Sequence, residues 1–437
     1  MAILRIQLIT LLACWQVSAA NIYVRQAASG SNNGSDWSNA YTTIAAAETA
    51  AARGDTIYVA GGTYTENVTF NAPASGTTLI TIKHATTADH GTETGWSGSY
   101  TNQSYINGSL TFTTGYWTMD GGFRNESDWT DFANYGFRVE YTGTGTNIKN
   151  ISASNCDGMT FRYIDMTLPG GLGDGLSDGR DNFYTLGGDN MLVSRCRMYN
   201  AGRVHLLLRN NDYFILEYSY MDTNESFPSE HAESISALDC YGVILRHNYF
   251  MNIRGTGVVV WGDSVPPSGL SADWECYGNV IYNWPDNSNG LFTNWSAQYA
   301  SGAKIYNNTF VDCANGRLGI DGSSGWTAYN NIWVGCTPSF AGTGWTHDYN
   351  AHTSDIAGEN NDQIITSAIF TDYANQDFTL SSSTASGTTL SSPYNTDMFG
   401  VTRGIDGIWD RGAYEFDGGG GPQPPPSGDG TITVETL

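Results

Sequence analysis

The sequence predicts an all-β chain wound into a parallel β-helix, a solenoid of short strands. The first observation is a signature that returns through the centre as MLVSRCRMYN, FILEYSYMD, VILRHNYFMN, WECYGNVIYN, AKIYNNTFVD and WTAYNNIWVG. Aligned on an inner polar position, the copies put Cys196, Ser219, Asn248, Asn279, Asn308 and Asn331 in one column, at spacings of 23, 29, 31, 29 and 23 residues. Repeats of this length, rich in β-formers and punctuated by Gly, mark a solenoid. The second observation is that no helical period runs between the copies. Each repeat therefore reads as a coil of short strands, stacked on the next at about 4.8 Å. A repeated inward Asn can bond the next Asn amide along the stack and satisfy backbone groups at a bend. The preference of Asn for turns does not account for Phe250, Ile281, Phe310 and Trp333, each two residues after a column residue.

The elements follow in chain order. Residues 1–20 read as a signal peptide, with Arg5, the apolar run ILRIQLITLLACW and the small-residue exit Ser18-Ala19-Ala20 before Asn21. Leu11-Leu12-Ala13-Cys14 is a rival lipoprotein site that would leave Cys14 lipidated. NIYVRQ is a strand and GSNNGSDWSN a loop. AYTTIAAAETAAARGD reads as a helix with Ile44, Ala47 and Ala51 on one face and Gly54 as its stop. DTIYVAGGTYTENVTF returns to strand. A helix before the first coil covers the open end of a solenoid.

This opening order, from YV through SGSNNGSDWSNAYTTIAAAETAAARGDTIYVAGGTYTENV, resembles that of secreted bacterial right-handed β-helix proteins of the pectate-lyase-like superfamily. GVTRGIDGIWDRGAYEF resembles their last coil. The resemblance spans roughly residues 21–417 and implies one right-handed β-helix domain with an N-terminal helical cap. That superfamily holds lyases, hydrolases, epimerases, esterases, adhesins and phage spikes, so activity must be read from side chains. Residues 338–417 read as the less regular end of the stack. GGGGPQPPPSGDG at 418–430 is a linker, followed by a short stub, 431–437.

The formal charge is −24, and only Lys83, Lys149 and Lys304 are lysines. This argues against nucleic acid and anionic membrane as bulk partners and suits a soluble exported protein; a monomer is expected. No other run approaches the ~20 apolar residues of a membrane span. The acidic run Asp174-Gly-Leu-Ser-Asp178-Gly-Arg-Asp181 is a candidate for Ca²⁺, although it lacks a full metal-loop pattern. Beyond residue 20 there are six Cys, and none forms a C-x-x-C. Cys313 and Cys336 each follow a column Asn by five and should stack on adjacent coils. A bridge and two free core thiols are both open there.

Candidate chemistry lies on one strand of each coil. Aligning VHLLLR (204–209), TGVVVW (256–261) and GRLGID (316–321) sends Leu206, Leu208, Val258, Val260, Leu318 and Ile320 inward. His205, Arg209, Trp261, Arg317 and Asp321 then point outward, as a glycan-binding face would require. There Trp261 would stack on a pyranose, and the charged groups would grip hydroxyls or carboxylates. Trp261→Ala is therefore expected to weaken polysaccharide retention without unfolding.

The insertion NESFPSEHAESISALD carries His231 and Glu233 two residues apart, an H-x-E that resembles one in other secreted β-helix proteins. If Ile235 points inward, strict alternation would turn both inward too. Either the bend breaks parity, or Ser234 and Ser236 are the inward pair. Six of sixteen Arg, including Arg209 and Arg254, and three of seven His fall within 195–254. A basic island in an acidic chain suggests an anionic polysaccharide such as a uronic-acid polymer, unless these Arg pair locally with acids. The expected site joins His231, Glu233 and Arg209, with His205, Arg254, Trp261, Asp263, Arg317 and Asp321 around it. In a lyase, Arg209 would hold the uronate, His231 or a Tyr would take the C5 proton, and Glu233 would orient His231. In a glycoside hydrolase, Glu233 would face a second carboxylate such as Asp263 at about 5–9 Å. A non-catalytic glycan-binding surface protein is the third reading.

Overall fold

The computed structural model describes residues 19–143, 147–168, 180–224, 232–264, 271–286, 290–294, 301–319, 324–354, 356 and 358–418. Among them, three long parallel sheets of 12, 12 and 10 strands wind into a parallel β-helix. Sheet I runs from Asn21–Val24 to Thr346–Asp348, sheet II from Gly62–Tyr64 to Gln363–Ile364, and sheet III from Val68–Phe70 to Pro338–Phe340. Each coil visits them in that order. Leu192–Ser194, Arg197–Ala201 and Leu206–Arg209 form one such coil. Alternation turns one set of side chains into a shared tube. Met221, Phe250, Ile281, Phe310 and Trp333 pair strand to strand down sheet II and are fully buried. That row lies two residues beyond the polar column.

The polar column sits at the tight turn between sheets I and II. Asn248, Asn279, Asn308 and Asn331 each donate from Nδ2 to the Oδ1 of the next member at 3.0 Å. The next member after Asn331 is Asn350. Glu359 closes the stack, accepting from Asn350 Nδ2 at 2.7 Å and from its backbone N–H at 3.1 Å. Each amide also holds a buried carbonyl, as Asn308 Nδ2 holds Cys276 O at 2.8 Å. Asn308→Ala would strand that carbonyl and the Asn279 N–H. The expected loss is about 1–3 kcal/mol per unpaired group, read as a lower midpoint in urea unfolding. An unchanged midpoint would show that water replaces the amide.

The predicted helix is present but shorter. It spans Ile44–Ala50, with Thr43 as N-cap and Ile44 and Ala47 in the core. It stops before Gly54 because the Asp55 carboxylate takes the Ala52 N–H at 2.8 Å. Glu66 receives the free N–H groups of Ile44 and Ala45 at 2.8 and 3.0 Å, a favourable site for an anion at a helix start.

The run resembling a last coil forms no coil. Residues 365–417 turn back along the outside of sheet II, where Phe370, Phe378, Leu380, Met398, Ala413 and Tyr414 pack on its outward side chains. The Tyr414 and Tyr249 hydroxyls meet at 2.6 Å, and the Ala413 N–H donates to Thr309 Oγ1 at 2.9 Å. The physical reason is that the charges of this run bond among themselves. Arg403 is buried and donates to the carbonyls of Asp410, Gly412 and Ala413. Burial pushes the neighbouring Glu415 carboxyl up to about 7. A coil strand would have to send half of these groups into the tube. All six described Cys are buried and unpaired, Cys313 and Cys336 among them. Burial pushes the thiols of Cys156, Cys196, Cys240, Cys276 and Cys313 up, to about 11 at Cys156. No helix among the described residues is long and apolar enough to cross a membrane.

Candidate functional site

Residues 365–417 roof sheet II, while on the outward side of sheet III Leu186 and Arg209 are exposed and Leu207, Ser236, Val260 and Thr293 are buried. The register of sheet III is set by Leu206, Ile235, Val259, Phe292 and Leu318, which pair in sequence and are fully buried. The next inward row is Leu208, Ala237 and Trp261. Trp261 is therefore a core residue, and the expected alignment of 256–261 was one residue out. Its indole lies parallel between those of Trp274 and Trp326, with centroids at 4.5 and 4.9 Å. Val258 and Val260 are also fully buried, which is why hydrophobicity alone could not fix the parity.

His205 is not outward either. It stands in a second buried polar column, at the turn from sheet II to sheet III, after Asn150 and Asn182 and before Ser234. Its Nδ1 meets Ser234 Oγ at 3.0 Å, and its Nε2 meets the carbonyls of Asp222 and Thr223 at 3.2 and 3.1 Å. Burial pulls its pKa down to about 4. It is neutral and structural.

The H-x-E ambiguity resolves through Ala232, whose φ of 53° breaks the alternation. Ile235 and Ala237 point inward, Ser234 lies at the bend, and Glu233 is only 1% exposed, accepting from Thr256 Oγ1 at 3.1 Å. His231 and Asp321 lie outside the described residues. Arg209 is exposed, but it pairs in register with Leu238, five residues beyond Glu233. At about 3.3 Å per residue the two stand roughly 15 Å apart, at opposite ends of the sheet. They do not form one site. Asp263, just past Gly262 at the far end of its strand, accepts from the Ser271 N–H at 2.6 Å. It is about 20 Å from Glu233 by the same measure, so these two carboxylates cannot act as a glycosidase pair. Arg254 is exposed near Glu233, and Arg317 is half-buried farther down the sheet.

The basic island of the sequence does not persist in space. Arg195 pairs with Glu126, Arg197 with Asp165, Arg203 with Asp181 and Arg246 with Glu217, on different faces of the coil. What the fold assembles instead is a charged rim where sheet II turns into sheet III. Lys149 and Asp181 are register partners on adjacent coils. Lys149 Nζ reaches Asp181 Oδ2 at 2.7 Å, and Arg203 grips both oxygens, from Nε at 2.9 Å and from a terminal nitrogen at 2.7 Å. Asp181 is fully buried, while Arg203 and Lys149 keep about a quarter and a sixth of their side chains exposed, at 25% and 17%. Arg180, Glu233, Thr256 and Arg254 continue the rim. Asn224 pins it from below, accepting the Arg254 N–H at 2.7 Å and donating to the carbonyls of Arg203 and Ala232.

Among the described residues, the rim brings Lys149, Arg180, Arg203 and Arg254 into one stretch with Asp181 and Glu233. Asp181 is also the described member of the acidic run considered for Ca²⁺. With two cations already on its oxygens, it is poorly placed to serve a metal. Among the described residues no group of three His, Cys, Asp or Glu side chains is arranged to hold one. The pairing of Lys149 with Asp181 escaped sequence reasoning because the two lie 32 residues apart and meet only through strand register.

A family model described as right handed beta helix region matches residues 120–268. That stretch contains the whole rim. No curated protein matches the sequence. Among solved structures, the pectate lyase Pel9A is similar at 15% identity and a TM-score of 0.47, covering 91% of this chain and 96% of its own. A PL6 family polysaccharide lyase from Pseudopedobacter saltans is similar at 13% identity and a TM-score of 0.46, with 80% and 95% covered. A polygalacturonase from Erwinia carotovora ssp. carotovora is similar at 10% identity and a TM-score of 0.44, with 80% and 95% covered.

Proposed function

We propose that this chain is an exported polysaccharide-active protein that binds an acidic glycan on the outward face of sheet III and cleaves it by β-elimination at the rim. One observation carries the reading. The five sheet III strands Lys149–Ser154, Asp181–Leu186, Leu206–Arg209, Ile235–Leu238 and Val259–Gly262 contain a single carboxylate, Asp181, and it is neutralised. Strands whose one carboxylate is buried and paired, with cations along the edge toward sheet II, support binding of a polyanion along that edge. The charged start, apolar run and small-residue exit of residues 1–20 support export.

In this reading Arg203, with Lys149 beside it, neutralises the uronate carboxylate, which acidifies the proton on C5. A base takes that proton, the C4–O bond breaks, a C4–C5 double bond forms, and the departing oxygen takes a proton. His231 is one candidate base. Tyr184, whose ring lies 5.7 Å from Lys149 Nζ, is the other. Glu233 orients the base, and Arg209 holds a second uronate at the far end of the sheet. The separation of Glu233 from Asp263 favours elimination over hydrolysis by that pair.

The test is incubation with a panel of uronic-acid polymers. Ultraviolet absorbance from an unsaturated chain end is the expected result. New reducing ends without that absorbance would replace the lyase by a hydrolase. Retention on the polymers with neither product would make the protein a binder.

A further inference from the structure

Near the C-terminal end of the solenoid, adjacent coils carry a thiol at the same place. Cys313 and Cys336 each stand two residues beyond the register partners Val311 and Val334, where sheet II turns toward sheet III. The residue before each is left-handed, Asp312 at φ 50° and Gly335 at φ 69°. The two turns therefore follow one backbone path and send both Cβ atoms the same way. A Cβ on Gly335 would come within 2.2 Å of Asp312 Oδ1, so the glycine lets the turns stack this closely. Cys336 Sγ leans back onto the strand that carries Cys313 and meets Phe310 O at 3.5 Å. Cys313 Sγ meets Val311 O, on that same strand, at 3.4 Å. The two thiols also hydrogen-bond to one another. Register partners on parallel strands have Cα atoms about 4.8 Å apart, inside the roughly 4.4–6.8 Å that a disulfide spans. The other four described cysteines, Cys156, Cys196, Cys240 and Cys276, meet Gly188, Ser219, Ser271 and Ile305 on the coil that follows.

We propose that Cys313 and Cys336 are a modification site, closed into a disulfide as the chain folds in an oxidising compartment. The oxidant is an external disulfide, of a small thiol or of an exchange protein. One cysteine loses its proton and attacks that disulfide, forming a mixed disulfide and expelling one thiolate. The second loses its proton, attacks the mixed disulfide and expels the other. The pair gives up two electrons and two protons, and the external disulfide becomes two thiols. Folding sets the timing. In the finished stack Cys313 and Cys336 are only 1% and 6% exposed, and burial disfavours the thiolate that must attack. The exchange therefore precedes closure of the last coils. The bridge spans 23 residues and ties together two coils on which residues 365–417 dock. The Ala413 N–H donates to Thr309 Oγ1 on the Cys313 strand at 2.9 Å, and the Tyr373 hydroxyl donates to Asp312 Oδ1 at 2.5 Å. The site needs no glycan and stands apart from the sheet III reading.

The experiment refolds the reduced full chain from urea in a mixture of reduced and oxidised glutathione. The product is then denatured, alkylated with N-ethylmaleimide and weighed. Two labels fewer than on the reduced control are expected. Trypsin cuts after Lys304, Arg317 and Arg403, so it places the two cysteines on separate peptides, 305–317 and 318–403. Those two peptides should run as one linked species until a phosphine is added. The phosphine should also lower the thermal midpoint of the refolded protein by about 3–4 °C, with no shift in Cys336→Ser. A full complement of labels on the refolded parent, or a bridge joining other cysteines, would overturn the proposal. Folded, reduced protein placed in the same mixture should stay reduced over the time that refolding takes. Equal oxidation of the two samples would overturn the assignment of the step to folding. The peptide map of the parent decides the bridge even if Cys336→Ser fails to fold.

Discussion

Arg203→Ala is expected to lower kcat/KM on a cleaved uronic-acid polymer by about 10²–10³-fold, the usual cost of removing one preorganised group that stabilises developing charge. The side chain is partly exposed at the rim, and its fork is held rigidly on Asp181. Lys149 remains on Asp181 in the variant, so the buried carboxylate keeps one partner at 2.7 Å and the fold should survive. Arg203→Lys separates charge from geometry. A lysine keeps the positive charge but loses the bidentate grip, and an intermediate rate is expected. The measurement is initial rate against polymer concentration, with circular dichroism as the control for folding. Full turnover by Arg203→Ala would move the chemistry away from the rim.

Trp261→Ala is expected to destabilise the protein by about 3–5 kcal/mol, as large-to-small changes in close-packed cores do. The indole is fully buried and stacked on both faces, so its removal empties a slot between Trp274 and Trp326. Urea unfolding followed by tryptophan fluorescence reads the loss. The folded fraction should keep its glycan retention, since the ring never meets the ligand. A variant of parental stability with weakened retention would instead return Trp261 to the surface and overturn the register of sheet III.

The two variants mark where sequence reasoning reached and where it stopped. The solenoid was legible because its signal is a long period. The column from Cys196 to Asn331 sits in one register position, one residue before the paired strands of sheet II. Its last member, Asn350, was missed because the final step shortens to 19 residues. The helical cap was legible from its Ala-rich face, and its end was not, because a carboxylate from outside the helix terminates it. The closing run resembled a coil in sequence. Its buried Arg403–Glu415 ion pair and the carbonyls that Arg403 and Arg411 hold appear only once the chain has folded back on sheet II.

The sequence by itself determined what repeats: coil length, inward Asn, apolar core, and an acidic chain with few lysines. Each is a sum over many residues, so single errors do not disturb it. Tertiary structure alone decided parity and convergence. A shift of one residue along a strand reverses which side faces water, and TGVVVW is apolar on both sides. That shift moved Trp261 from the surface to the core. The left-handed turn at Ala232 freed Glu233 from alternation. The separation of Arg209 from Glu233, and the meeting of Lys149, Asp181 and Arg203, follow from strand register between coils. No local pattern encodes that register, because it is set by how tens of intervening residues fill each turn.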